Sequence, residues 1–180
     1  MVVMVTAVVN VRPVDERHVL VLMRHAKSDY PSGVADHDRP LASRGRREAA
    51  RGGEWLRANL PPIDAVLCST ATRARETLTR TGIDAPVSYV AQLYGATPGA
   101  LIEEVNKVDN GVSTVLVVGH EPTISSVALI LADDDQTNVA AAEAISAKFP
   151  TSGIAVLNVR GCWADLEPGG ASLAEFHVPR

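Results

Sequence analysis

The sequence predicts an α/β layered fold on a parallel sheet, from three observations. Short runs rich in Val and Leu recur, each ending in polar residues. Amphipathic stretches bounded by proline or glycine separate them. No internal repeat, low-complexity tract or linker divides the chain.

The first run, His18 to Met23, is continuously apolar and gives way to Arg24 and His25. That is how a buried parallel strand reads when a site lies at its carboxyl end. From Ser43 to Asn59, Ala49, Gly53, Leu56 and Leu60 recur at helical spacing and Pro61-Pro62 ends the run. Its arginines, Arg44 to Arg57, interleave with Glu48 and Glu54, the usual appearance of a solvated helix face. Ala65 to Cys68 reads as a second strand, leading into Ser69 and Thr70. Helices follow over Thr70 to Arg80, ended by Gly82, and Pro98 to Val108, ended by Asn110-Gly111. Thr114 to Val118 is a third buried strand, delivering Gly119 and His120. Pro122 suits the first turn of a helix to Leu131, and Asn138 to Lys148 supplies one more. Gly153 to Arg160 and Ser172 to Val178 read as closing strands, antiparallel in expectation.

A chain of 180 residues, 46% hydrophobic, is long enough for one compact core. Residues 18–180 are expected to be one domain and residues 1–17 an extension. Met1 to Val11 is apolar, but it lacks a basic leader and meets Arg12, Pro13 and Asp15 well short of a spanning length. It reads as an untidy leader or an extra edge strand, with no membrane partner expected. The net charge of -4 excludes a protein built to coat nucleic acid, which needs a basic footprint. Cys68 and Cys162 stand far apart without metal-ligand spacing and read as reduced thiols of a cytoplasmic protein.

Ligands of α/β sheets collect at the carboxyl ends of the strands, so Arg24-His25, the turn Ser69 to Arg75, and Gly119-His120 should converge. Two arginines, Arg24 and Arg73, then meet two histidines. Guanidinium forks match tetrahedral oxyanions and stay charged at any working pH. A histidine beside them is held neutral by repulsion and can attack phosphorus through its bare ring nitrogen. With cations around the equatorial oxygens, no metal or other cofactor is required. His18 and His177 read as structural and His37 as a loop residue, because no short ligand spacing joins them into a metal site. Lys27 and Ser28 are candidates for further phosphate contacts, and Arg75 reads as helix surface.

The chain resembles the histidine phosphatase superfamily. The resemblance rests on Leu22-Met-Arg-His-Ala-Lys-Ser28, Asp38-Arg-Pro-Leu41 with Gly45, Ser69-Thr-Ala-Thr-Arg-Ala-Arg-Glu-Thr77, and Val118-Gly-His-Glu-Pro122, in that order. It implies a three-layer α/β/α sandwich with a mostly parallel central sheet, phosphoglycerate mutase-like. It also implies a phospho-His25 intermediate, with Arg24, Arg73 and His120 on the phosphoryl oxygens and no metal. The alanine after His25, the Asp-Arg-Pro-Leu motif and the short chain resemble the small bacterial phosphohistidine phosphatases of the SixA type. Thr70 stands where relatives often carry proline.

Many relatives also supply a carboxylate as general acid, but Ala91-Gln-Leu-Tyr-Gly95 offers Gln92 and no acid. An alkoxide needs a proton to leave, whereas an imidazole, with a pKa of roughly 6.5, leaves far more easily. The missing acid therefore favours phosphohistidine in a protein. A small sugar or nucleotide phosphate is the alternative, with Asp29, Asp36, Asp38 and Glu121 as the carboxylates whose reach the fold decides. From another class, a noncatalytic phosphate-binding module would keep the pocket but has no need of His25. Oligomeric state is not encoded in any of these features.

Overall fold

The computed structural model describes residues 18–133 and 135–180. The leader or edge strand expected within residues 1–17 lies outside the described residues. Six strands form one sheet: β1 (His18–Arg24), β2 (Ala65–Ser69), β3 (Val87–Val90), β4 (Thr114–Gly119), β5 (Ile154–Val159) and β6 (Ala171–His177), in the order β3-β2-β4-β1-β5-β6. The pairs β1·β4, β2·β4 and β2·β3 are parallel, and β5 runs antiparallel to both β1 and β6.

Five α-helices cover the two faces: α1 (Ser43–Asn59), α2 (Thr72–Thr81), α3 (Pro98–Asn106), α4 (Thr123–Leu131) and α5 (Val139–Ala147). Alternation along the strands sorts the core into two layers. Leu20 and Leu22 of β1, with Val115 and Val117 of β4, face α3, α4 and α5 through Leu101, Ile124, Val127 and Ile145. Val21 and Met23, with Leu116 and Val118, face α1 and α2 through Leu56, Ala74 and Leu78. The two layers of helix around one sheet make the expected three-layer sandwich.

Every element expected within residues 18–180 is present, with ends that shift for local reasons. The second helix begins at Thr72 instead of Thr70, because residues 70 and 71 form the turn that leaves β2. Asn138 caps α5 by accepting from the Ala141 N–H at 3.2 Å, and Thr97 caps α3 by accepting from the Ala100 N–H at 3.2 Å. One strand, β3, was not expected. Its four residues form the edge of the sheet and lie largely exposed, so they carry no apolar run. Glu48 also departs from the solvated-face reading of α1: it is turned inward, 7% exposed, and accepts from Arg44 Nε at 2.6 Å.

Candidate active site

Register brings the site together. Arg24 of β1 lies opposite Gly119 of β4, and Cys68 of β2 lies opposite Val118. The next residues, His25, Ser69 and His120, therefore leave adjacent strand ends on the same side. The His25 N–H donates to Gly119 O at 2.9 Å, and the His25 and His120 rings stand 5.1 Å apart between centroids. His120 Nε2 is hydrogen-bonded to Ser69 Oγ at 2.7 Å. Helices α2 and α4 start directly after β2 and β4, so their N-termini, where anions are favoured, open toward this edge.

His25 is held in one tautomer. Its Nδ1 lies 2.7 Å from Ala26 O, a carbonyl that can only accept, so Nδ1 carries the proton. Nε2 is left with its lone pair and accepts from Arg73 Nε–H at 3.3 Å. Both partners are buried, His25 8% and Arg73 7% exposed. Burial, opposed by the Ala26 carbonyl and reinforced by His120, Arg73 and Arg24, pushes His25 down to about 3. Burial first, then Arg73, pushes His120 down to about 4. Both rings are neutral near pH 7.

Thr77 ties these parts to one another. Its Oγ1 accepts from the Ala26 N–H at 2.9 Å and its hydroxyl donates to Arg73 O at 2.6 Å. Thr77 lies inside the third motif, yet nothing in its residue type marked it as the link between the His25 loop and α2. Gly45 fixes the other side of the loop: a Cβ there would sit 2.1 Å from Lys27 O.

Arg24 donates through one Nη to Phe149 O at 2.8 Å, while its Nε is buried and has no partner among the described residues. A buried guanidinium N–H left without a partner is a donor that an anion could satisfy. Lys27 and Ser28 stand apart from this group. Ser28 is buried and its Oγ accepts from Arg39, and Lys27 Nζ lies 5.4 Å from the Tyr30 ring centroid. Among the described residues, no hydrogen bond joins either side chain to His25, Arg73 or His120.

The rim is built from a turn, Asp36–Asp38, and from Tyr94. Asp36 receives Arg73 Nη2–H at 3.1 Å and the Tyr94 hydroxyl at 2.7 Å on Oδ2, and Arg39 Nη1–H at 2.7 Å on Oδ1. His37, expected as a plain loop residue, belongs to this rim: its Nε2 is hydrogen-bonded to Thr70 Oγ1 at 3.0 Å and its ring meets Tyr94 edge-on. Thr70, where relatives often carry proline, thus anchors the rim.

The four carboxylates left open by the sequence are now placed. Glu121 is turned onto the start of α4, accepting from the Ser125 N–H at 2.8 Å and the Ser125 hydroxyl at 2.6 Å. Asp29 accepts from the Tyr30 N–H, and Asp38 pairs with His37. Asp36 reaches the site, but the Tyr94 hydroxyl, with Arg73 and Arg39, holds it below the usual carboxylate range and so ionised. Of the four, the carboxylate bonded to Arg73 is thus held as an acceptor and not as a proton donor. A separate hollow of about 320 Å³, lined by Val66, Pro86, Val108 and Val112 among others, holds none of the four residues His25, Arg24, Arg73 and His120.

A layered α/β sheet that presents a bare imidazole nitrogen against the buried Arg73 guanidinium, with Arg24 beside it, suits phosphoryl transfer, the work of a phosphatase. Comparison with known proteins narrows the class. The model of the histidine phosphatase superfamily (branch 1) matches residues 20–94. A protein of Mycobacterium tuberculosis, the uncharacterized protein MT1313, is 68% identical over 158 residues, covering 88% of this chain and all of the relative. Among solved structures, a protein of Nakamurella multipartitia described as a phosphohistidine phosphatase SixA aligns with a TM-score of 0.83 at 42% identity, covering 91% of this chain and 96% of its own. One of Agrobacterium tumefaciens with the same description aligns with a TM-score of 0.73 at 28% identity, covering 90% and 98%. The chain belongs to the histidine phosphatase superfamily and has its phosphoglycerate mutase-like fold.

Proposed function

We propose that this chain, with residues 18–180 acting as one domain, removes the phosphoryl group from phosphohistidine in a protein by way of phospho-His25. The observation that carries the reading is the pairing of an unprotonated His25 Nε2 with a rim whose Asp36 carboxylate is ionised. Nε2 attacks phosphorus, and the bond to the leaving group breaks with its electron pair staying on that group. Arg73 and Arg24 donate to the equatorial oxygens, with His120 beside them, as negative charge spreads. Water then attacks phospho-His25, phosphate departs, and Nε2 recovers its lone pair. Lys27 and Ser28 contribute at most to the outer part of the phosphate site, Ser28 through Arg39.

Without a proton donor the first step favours a leaving group that needs none, and imidazole is such a group. The phosphohistidine description of the 42% identical Nakamurella protein supports the same substrate class. The two cysteines, both free, fit a reducing cytoplasm.

The test is hydrolysis of a phosphohistidine-bearing protein beside sugar, nucleotide and serine phosphates, with and without chelator. Phosphohistidine is expected to be the preferred substrate in both conditions, with His25→Ala inactive. Faster turnover of an alkyl phosphate would overturn the substrate assignment.

A further inference from the structure

The rim carboxylate has a job that the two-step scheme leaves unassigned. Asp36 lies directly over Arg73, and it is 54% exposed where the Arg73 side chain is 8% exposed. Arg73 donates Nε–H to His25 Nε2 and Nη2–H to Asp36, so the carboxylate is joined to the nucleophile through one guanidinium, on its exposed side. An ionised carboxylate offers about four acceptor positions. Arg73 and Tyr94 fill those of Oδ2 and Arg39 takes one on Oδ1, which leaves one on Oδ1 free. The Tyr94 ring, edge-on to His120 at 5.5 Å and to His37 at 4.9 Å, adds an aromatic surface to the same rim.

Resting on the phosphohistidine reading, we propose that Asp36 is the specificity residue of the site. Its free Oδ1 position accepts the N–H on the far ring nitrogen of the substrate's phosphoimidazole. That hydrogen bond keeps the substrate ring in its protonated, cationic form. When His25 Nε2 bonds to phosphorus, the P–N bond breaks and its electron pair goes to the departing nitrogen. The ring leaves as neutral imidazole, still carrying the proton on its far nitrogen. No proton has to be delivered at the departing atom, so no general acid is needed. The groups facing Asp36 are Arg73 from α2, Arg39 from its own loop and Tyr94, with His37 and His120 near by. Asp38 also lies on this turn, but it pairs with His37, whereas Asp36 is the carboxylate bonded to Arg73, the partner of His25.

The experiment measures kcat from pH 6 to 9 for a phosphohistidine-bearing protein and for p-nitrophenyl phosphate, whose leaving group has no such N–H. Wild type is compared with Asp36→Asn. The expected result is a ratio of phosphohistidine to aryl phosphate turnover that falls by at least about tenfold, the worth of a charge-assisted hydrogen bond. The alkaline limb of kcat for phosphohistidine is also expected to move to lower pH, with the aryl phosphate profile keeping its shape. Parallel changes for both substrates would overturn the assignment, showing that Asp36 merely positions Arg73 or blocks it. A wild-type enzyme with no preference for phosphohistidine would instead bring down the functional reading beneath it.

Discussion

The proposed nucleophile, His25, keeps a bare Nε2 near neutrality because two neighbours divide its ring: Ala26 O takes the Nδ1 proton and Arg73 faces Nε2. Held down to about 3, His25 binds no proton between that pH and its ordinary value of about 6.5, whereas the unfolded chain does. Stability therefore rises with pH through this window and is lost as pH falls. At pH 5 the cost is about 2 kcal/mol. Urea unfolding at pH 7 and pH 5 is expected to show His25→Asn losing less stability on acidification than the wild type. Equal losses would refute the burial argument. Thr77→Val removes the acceptor for the Ala26 N–H; it is expected to cost about 1–3 kcal/mol and to lower kcat more than KM, read from melting and steady-state rates. At this scale the sequence brought His25, Arg24, Arg73 and His120 into view, because Arg24 ends β1, His25 and His120 follow strands, and Arg73 opens α2, each in a recognisable motif. Asp36 could only be named among four carboxylates. Its contacts with Arg73 and Tyr94 bridge 37 and 58 residues and come from a loop without periodicity.

Helix α1 approaches its neighbours at two glycines that serve different ends. Gly45 faces the His25 loop, and Gly53 faces α2, where a Cβ would lie 1.9 Å from Thr81 O. Both contacts are with backbone and cannot be relieved by a side-chain turn. Gly53→Ala is expected to destabilise by about 1–3 kcal/mol or more while the folded fraction keeps its kcat. Gly45→Ala is expected to lose kcat as well, because Lys27 adjoins the loop that positions His25. Thermal melts with rates normalised to folded protein separate the two. The strands β1, β2 and β4 were legible as apolar runs because helices cover both of their faces. β3 was not, since an exposed edge strand of four residues buries too little to leave a pattern. The inward turn of Glu48 was masked by its charged neighbours on α1.

The whole molecule gathers its candidate site at the carboxyl ends of the central strands of a sheet whose order places β4 between β1 and β2. Residues far apart in sequence thereby meet, while the net charge of -4 leaves the remaining surface unlike a polyanion binder. Among the described residues, no helix is long and apolar enough to cross a membrane. The proposed site would bind phosphate in the folded state alone, so millimolar phosphate is expected to raise Tm, and Arg73→Ala to abolish the rise. The layered fold was legible from alternating elements, and the convergence of three strand ends followed from it. The rim was not, because turns and aromatic contacts set its shape.

The most direct test of the central claim is to trap the phosphoenzyme. A protein carrying phosphohistidine is mixed with enzyme, quenched in alkali within milliseconds, and the phosphorylated residue is mapped by mass spectrometry. The account predicts phosphate on His25 and none trapped with His25→Ala. Phosphate on any other side chain, or undiminished turnover by folded His25→Ala, would contradict it.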